Sequence, residues 1–542
     1  MLRSSDKIFC IKNKAMKAFN RFRKAAVSSW LFYLGDSMKF LAALLIGAAL
    51  ITSACGSEEP TNEKIFRYGT TAYGIAMENA GMDAHESYQG WSAIRYGVGE
   101  TLFKFNDAMQ PQPWLAEKYE FINNNTVKIT LRNDVYFSSG NKMTGEAVKA
   151  CLEDLISRHN RAREDLKLTS IIAEGQTITL TSSAKAPALI NYLCDPYGCI
   201  MEITGSEHGA QNISGTGPYI VQSQTSKEVV LVPNQNYWGG KPGLDKIIVS
   251  SITDGNTLAL ALQNGEIDAA QGLPYAALPL FKDDPAYKIS TAATSRTFQA
   301  AFNFNTPALQ DVRVRRAISL CMDKETFARV QLLNNGLPAQ SPFPPNLPFG
   351  GGTAQSHNLQ EARRLLAEAG WTDSNGDGYV DKNGNTLTLR WLTYTSRQEL
   401  PLLAEAAQSW LKEAGIRLEI NPTDGYNDYL QRGEWDIYAK AFVTAPTGDA
   451  QYYFTTHLGE SPYNNGAYRS SKAEILTAQL GSEFNPDTRA GLATQISRQL
   501  NEDAAFMYIA HLKMSLVMKN NVHNFNAHPC DYYEITKDLT ID

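Results

Sequence analysis

From about residue 120 onward, short alternating or β-branched runs take turns with longer stretches whose apolar residues recur three and four positions apart. The first pattern predicts strands over Thr126–Leu131, Thr177–Leu180, Glu228–Val232, Lys246–Ser251, Leu387–Leu392 and Asp436–Ala439. The second predicts helices over Gly145–Ser157, Val312–Ser319, Leu359–Ala369, Glu399–Ala414 and Arg489–Glu502. Leu359–Ala369 runs into Gly370-Trp371, a glycine stop with an aromatic behind it. Strands and helices are interspersed in mixed order, with no repeat and no low-complexity tract, which indicates an α/β protein other than one doubly wound sheet.

One hydrophobic stretch breaks the pattern. Phe40 to Ile51 is continuously apolar or small, follows Met38-Lys39 and leads into Thr52-Ser53-Ala54-Cys55-Gly56. A basic start, about a dozen apolar residues and small residues before the cut make a secretory signal, too short for the roughly 20 residues that span a bilayer. Ending on cysteine resembles a bacterial lipobox, in which Cys55 is lipidated and becomes the new N-terminus, although Thr52 stands where an aliphatic residue is commoner. Ser57–Asn62 then reads as a polar tether. The protein is thus expected on a cell membrane, lipid-anchored and facing outward. Residues 1–37 could form a basic amphipathic helix; the preferred reading is a start-site artefact, with translation beginning at Met38.

Of 50 basic and 56 acidic residues, 9 and 2 precede Cys55, which leaves 41 against 54 in the mature part. An acidic chain of this kind argues against nucleic acid, whose phosphates demand a basic face. The seven cysteines are scattered, and the only close pair, Cys194 and Cys199, lacks a zinc-site spacing, so buried free thiols are expected. The eight histidines form no His-Glu-x-x-His pattern, and neither a Gly-x-Ser-x-Gly elbow nor a phosphate loop occurs. An enzyme is therefore not expected; a secreted lipoprotein hydrolase is the remote alternative.

An ordered set of blocks carries the functional reading. Tyr96-Gly-Val-Gly-Glu100-Thr-Leu-Phe103 is followed by Pro113-Trp-Leu-Ala-Glu117, Leu131-Arg-Asn-Asp-Val-Tyr-Phe137-Ser-Ser-Gly140 and Gly215-Thr-Gly-Pro-Tyr219. Then come Asn236-Tyr-Trp238-Gly-Gly-Lys-Pro242, Leu262-Gln-Asn-Gly-Glu-Ile-Asp268, Asn303-Phe-Asn305 with Val312-Arg-Val-Arg-Arg316, Ala369-Gly-Trp371 and Leu411-Lys-Glu-Ala-Gly-Ile416. Together, from about Phe66 to Leu539, they resemble the extracytoplasmic solute-binding proteins of family 5, which serve peptide and nickel ABC importers. Physically these are scaffold blocks: Gly215 to Tyr219 reads as a tight turn using glycine's positive φ, and Arg315 and Arg316 as ion pairs locking the fold.

The resemblance implies a two-lobed, periplasmic-binding-protein-like α/β fold of type II with an additional subdomain in the first lobe. On that basis residues 1–54 are the signal region and 55–65 the lipidated tether. Lobe I covers 66–305 with its extra subdomain at about 107–224, lobe II covers 306–515, and 516–542 returns to lobe I. The implied function is capture of a solute in the interlobe cleft and delivery to the permease and ATPase subunits of an ABC importer. Oligopeptides are favoured; the alternative is nickel or a nickel–metallophore chelate, nickel then being cargo and not a resident cofactor.

Asp449 matches the aspartate that pairs with the ligand's ammonium group in peptide-binding relatives; capping the following helix is the competing role. Gln451 stands where nickel-binding relatives carry histidine, and glutamine is a poor nickel ligand. Arg158, Arg161 and Arg163 lie near the segment where those relatives keep chelate-contacting arginines, and Tyr197 stands where another arginine would be. Arg397 starts a helix just after a strand, a frequent place for a cleft residue; Arg95 and Arg296 come after it. A guanidinium fork suits any carboxylate ligand, although a surface ion pair is the alternative for each. Trp91 and Tyr394 are candidates for pocket walls. Finally, Asp373, Asn375, Asp377 and Asp381 follow calcium-loop spacing with Gly378 at the sixth position, but Gly384 replaces the twelfth-position glutamate, so a plain turn is the preferred reading.

Overall fold

The computed structural model describes residues 63–73, 80–203, 213–352 and 356–542; the signal region and Cys55 lie outside them. Two unusually long strands, Tyr287–Phe302 and Phe506–Lys519, run antiparallel through the middle of an eleven-stranded sheet. On one side the sheet continues through Ala269–Gln271, Ile65–Thr70, Lys246–Ser251, Glu228–Pro233 and Tyr219–Gln224. On the other it continues through Ile437–Val443, Thr388–Thr393 and Arg417–Pro422. Each side contains a parallel set: Ile65–Thr70 with Lys246–Ser251 and Ala269–Gln271, and Thr388–Thr393 with Arg417–Pro422 and Ile437–Val443.

Two apolar cores flank this arrangement, one built on Phe66, Tyr68 and Tyr96, the other on Trp391, Leu403 and Phe298. A separate antiparallel sheet of Ala116–Asn123, Thr126–Leu131, Thr177–Ser182 and Leu168–Glu174 carries the helix Gly145–Arg158. Thr126–Leu131 and Lys246–Ser251 occupy the residues their alternation indicates. The last predicted helix begins earlier, at Pro486, because Asn485 caps it through Thr488 N and proline suits the first turn.

Scaffold blocks act differently from the sequence reading in two places. Gly215 and Gly217 do not need positive φ; a Cβ on either would lie 2.2 and 2.3 Å from the carbonyl oxygens of Val98 and Gly97. Their role is close approach of two backbones, and the positive φ belongs to Gly97, at 68°. Among the described residues Arg315 forms no ion pair: it donates to the carbonyls of Leu309, Gln310, Asp503 and Ala504, and Arg316 donates to that of Glu502. Asn236–Pro242 holds its corner through a buried acid, since Tyr237 Oη and Trp238 Nε1 both donate to Glu100 at 2.8 Å. The five described cysteines are free and buried.

Candidate solute-binding site

Parallel strands leave their carboxyl ends open to a crevice, and ligands of α/β proteins collect there. Here the ends of both parallel sets face one cavity of about 330 Å³. Thr71 follows and Gln271 ends a strand of the first set, Thr395 to Glu399 follow Thr388–Thr393, and Asp531 comes from the C-terminal segment. Arg397 lies in the turn into the helix Glu399–Glu413, and Asp424 fixes that turn by accepting from Thr395 N, Thr395 Oγ1 and Ser396 N.

Arg296 reaches the same cavity through a fault in the sheet. Pairing of the two long strands is regular up to Ala293 with Lys513 and resumes at Thr297 with His511, so Thr294 to Arg296 bulge out. A bulge re-aims the side chain it carries. Both arginines are loosely held: Arg296 Nη2 is 3.5 Å from Asp531 Oδ2, and Arg397 Nε is 3.6 Å from Glu399 Oε2. Tight charge-assisted pairs are about 2.7–2.9 Å. Arg397 Nε is also buried without a hydrogen-bond partner. Burial and the neighbouring Arg397 both push the Arg296 guanidinium down. With Asp254, Glu399 and Asp531 also in the lining, the cavity offers charges of both signs.

A second cavity, about 940 Å³, lies between the 160–192 segment and residues 442–481. Arg161 in its wall is paired with Asp195 and Asp165, though its Nε lacks a hydrogen-bond partner, and lies against the rings of Tyr197 and Tyr452, 5.1 and 4.7 Å away. Gln451, Tyr452 and Phe442 share its wall. Burial pushes the Asp165 carboxyl up to about 6 despite Arg161.

The sequence candidates therefore divide. Arg397 lines the smaller cavity, and Arg161 and Gln451 the larger. Tyr197 is buried behind Arg161, its hydroxyl 3.3 Å from Asp165 Oδ2. Tyr394 is bound through its hydroxyl to the Ala441 backbone. Trp91 packs edge-on to Tyr532 and lines neither cavity. Arg158 is engaged by Asp83 at 2.7 Å and Asp154 at 3.1 Å.

Asp449 also lines neither cavity. Its Oδ1 accepts from Gln451 N at 2.8 Å and Arg489 Nη2 at 2.7 Å, and its Oδ2 from Arg489 Nε at 3.1 Å. The ammonium anchor implied by the resemblance is here a helix cap and half of an internal ion pair. In the 373–384 loop, Asp373 and Asp377 accept from backbone amides, and Asp381 from Ser374. No group of three or more His, Cys, Asp or Glu among the described residues is placed to hold a metal ion.

Asp531, its partner Arg95 and the bulge at Arg296 are the parts that sequence reasoning left out or ranked low. Asp531 carried no motif, and a bulge has no reliable signature in one sequence.

Comparison with known proteins agrees with this architecture. The nickel-binding protein NikA of Staphylococcus aureus is 27% identical over 510 residues, covering 93% of this chain and 100% of NikA. The crystal structure of NikA with Ni(L-His)2 superposes with a TM-score of 0.77, covering 88% of this chain and all of that one. A nickel ABC transporter structure from Bacillus halodurans is 28% identical with a TM-score of 0.73, at 88% and 100% coverage. The oligopeptide-binding protein AppA of Bacillus subtilis, in complex with a nonapeptide, shares the fold at 18% identity and a TM-score of 0.74, at 89% and 99% coverage. The fold is the two-lobed, type II periplasmic-binding-protein fold. The family model for bacterial extracellular solute-binding proteins, family 5 Middle, matches residues 110–465, and the chain belongs to that family.

Proposed function

We propose that this solute-binding protein captures a small amino-carboxylate solute, foremost a nickel–amino-acid chelate, and delivers it to the permease and ATPase subunits of an ABC importer. The observation that carries the reading is the pair of loosely held arginines, Arg296 and Arg397, in a cavity of about 330 Å³ with acids beside them. That volume is at the small end of ligand sites, which run from about 300 to 1,000 Å³. Guanidinium forks would take carboxylates, and Asp531 or Glu399 an amine. With no protein donor cluster among the described residues, the metal would travel inside its chelator. Likeness to NikA supports the same reading.

A short peptide is the second reading, favoured by the adjoining cavity of about 940 Å³, whose aromatic wall suits side chains. The sequence reading favours oligopeptides while allowing Asp449 to serve either ligand, and Asp449 here faces Arg489. Anchoring through a lipidated Cys55 and return of the ligand unchanged, without catalysis, complete the proposal; the first rests on the signal ending at Cys55, the second on family membership. Native mass spectrometry of the purified mature domain, with metal analysis on the same sample, tests it. One nickel per protein with a small-molecule mass is expected; a peptide mixture without nickel would replace the first reading by the second.

A further inference from the structure

A pair of carboxyls runs from the cavity wall inward, and the solute reading uses only its outer member, Asp531. Asp531 Oδ2 is 3.0 Å from Arg95 Nη2 and 3.5 Å from Arg296 Nη2, so one acid faces two guanidiniums. Glu534, 1% exposed, accepts from Tyr68 Oη at 2.5 Å and has Oε1 3.3 Å from Arg95 Nε. The remaining oxygens, Asp531 Oδ1 and Glu534 Oε1, are buried and, among the described residues, accept no hydrogen bond. The two carboxyls crowd onto one guanidinium, Asp531 Oδ2 against Arg95 Nη2 and Glu534 Oε1 against Arg95 Nε, which brings them into close contact. Two carboxylates in such contact repel; a single proton between them turns the contact into a strong hydrogen bond.

Every element packed against the pair contributes a charged or titratable group. Tyr68 comes from Ile65–Thr70, Arg95 and Tyr96 from the helix Gln89–Arg95 and its end, and Arg296 from the bulge. Arg397 stands across the cavity, and Cys530 and Tyr532 flank the pair in its own segment. Burial keeps that thiol and those phenols neutral. Burial also pushes the Glu534 carboxyl up to about 8, with Arg95 opposing and Asp531 adding to the rise.

Resting on the solute reading above, we propose that Asp531 and Glu534 are a positioning pair that shares one proton and so keeps Arg296 free to bind a solute carboxylate. With the proton in place, a single negative charge is divided between Arg95 and Arg296, and Arg296 retains the capacity for a second acid. With the proton lost, two carboxylates neutralise two guanidiniums, and an incoming carboxylate meets no net positive charge. A solute anion beside Arg296 in turn holds the proton on Glu534. Affinity is therefore full below the Glu534 titration and falls as pH rises through it.

Isothermal titration calorimetry with the nickel–L-histidine chelate, from pH 7 to 9.5, tests this on the wild-type protein, Glu534→Gln and Arg296→Gln. The glutamine amide still donates to Asp531 but never ionises. Ratios taken at each pH cancel the chelate's own protonation. The affinity of E534Q relative to wild type is expected to rise about tenfold from pH 7 to 9.5. A flat ratio, with chelate bound by both proteins, would overturn the role of the pair while leaving the solute site standing. Equal chelate affinity in wild type and R296Q would overturn the site itself, as would no chelate binding by wild type. Should E534Q not fold, wild type titrated near pH 8 in two buffers of different ionisation enthalpy gives the protons taken up per chelate. A positive number supports the pair, and zero refutes it.

Discussion

Replacing Asp449 by asparagine separates a ligand anchor from a structural ion pair. The Asp449 side chain holds Arg489 through both of its oxygens and caps the helix Gln451–His457 through Gln451 N. Arg489 is 8% exposed and also donates to the carbonyls of Leu480 and Glu483. Asparagine keeps a cap acceptor but removes the charge that compensates a buried guanidinium. Breaking such a pair costs about 3–5 kcal/mol when nothing else compensates. The two carbonyls that remain reduce this to about 2–3 kcal/mol. The unit from Glu63 to Asp542 unfolds with an entropy of about 1 kcal/mol per kelvin, from about 2.1 cal/mol/K per residue, so the midpoint falls by about 2–3 °C. Differential scanning calorimetry measures that shift, and titration with the nickel–L-histidine chelate measures affinity, expected within about twofold of wild type. An unshifted midpoint with affinity lost by more than tenfold would refute the argument and restore Asp449 as the anchor.

The other predictions concern the cavity, a buried acid and a backbone crossing. Arg397→Gln and Arg296→Gln each remove a charged hydrogen-bond donor and are expected to weaken chelate binding about 10- to 100-fold by calorimetry; a change below twofold would exclude that arginine from the site. Burial pushes the Glu100 carboxyl up to about 7, so the native state holds a proton that the unfolded chain releases from about 4.5 upward. Its stability contribution therefore falls as pH rises from about 4.5 to 7, by something on the order of 3 kcal/mol. Urea denaturation across that range should show Glu100→Gln gaining on wild type by that amount, whereas parallel profiles would contradict it. Gly217→Ala drives a methyl to within 2.3 Å of Gly97 O and should lower stability by at least about 2 kcal/mol in the same assay; an unchanged midpoint would mean the backbones can separate freely.

Local pattern carried the reading where a segment has one neighbour on each side and one buried face. Thr126–Leu131 buries Val127, Ile129 and Leu131, so alternation marks both its existence and its ends. The long strand Tyr287–Phe302 escaped the same reasoning because its environment changes along its length. Its first half is mostly partly exposed, its last six residues are all buried, and Thr294 to Arg296 interrupt the pairing. The candidate site was only partly visible in the sequence for a related reason. Arg397 follows a strand and precedes a helix, a place where local sequence announces the geometry. Asp449, by contrast, is decided by Arg489, 40 residues on, and Arg296 by a pairing fault with a strand more than 200 residues away. Charge partners that meet only in the fold leave no trace in a local window.

The two long strands bind the halves of the molecule into one hydrogen-bonded ribbon, and its irregular stretch is the one that presents Arg296. A ribbon of this kind behaves as a leaf spring: it flexes where rungs are missing and resists bending where they are complete. The irregular stretch and the proposed solute contact are therefore the same few residues. On the proposed reading, a solute at Arg296 would sit where rungs between the long strands are missing, and a transporter reading the angle between the halves would read the ligand without touching it.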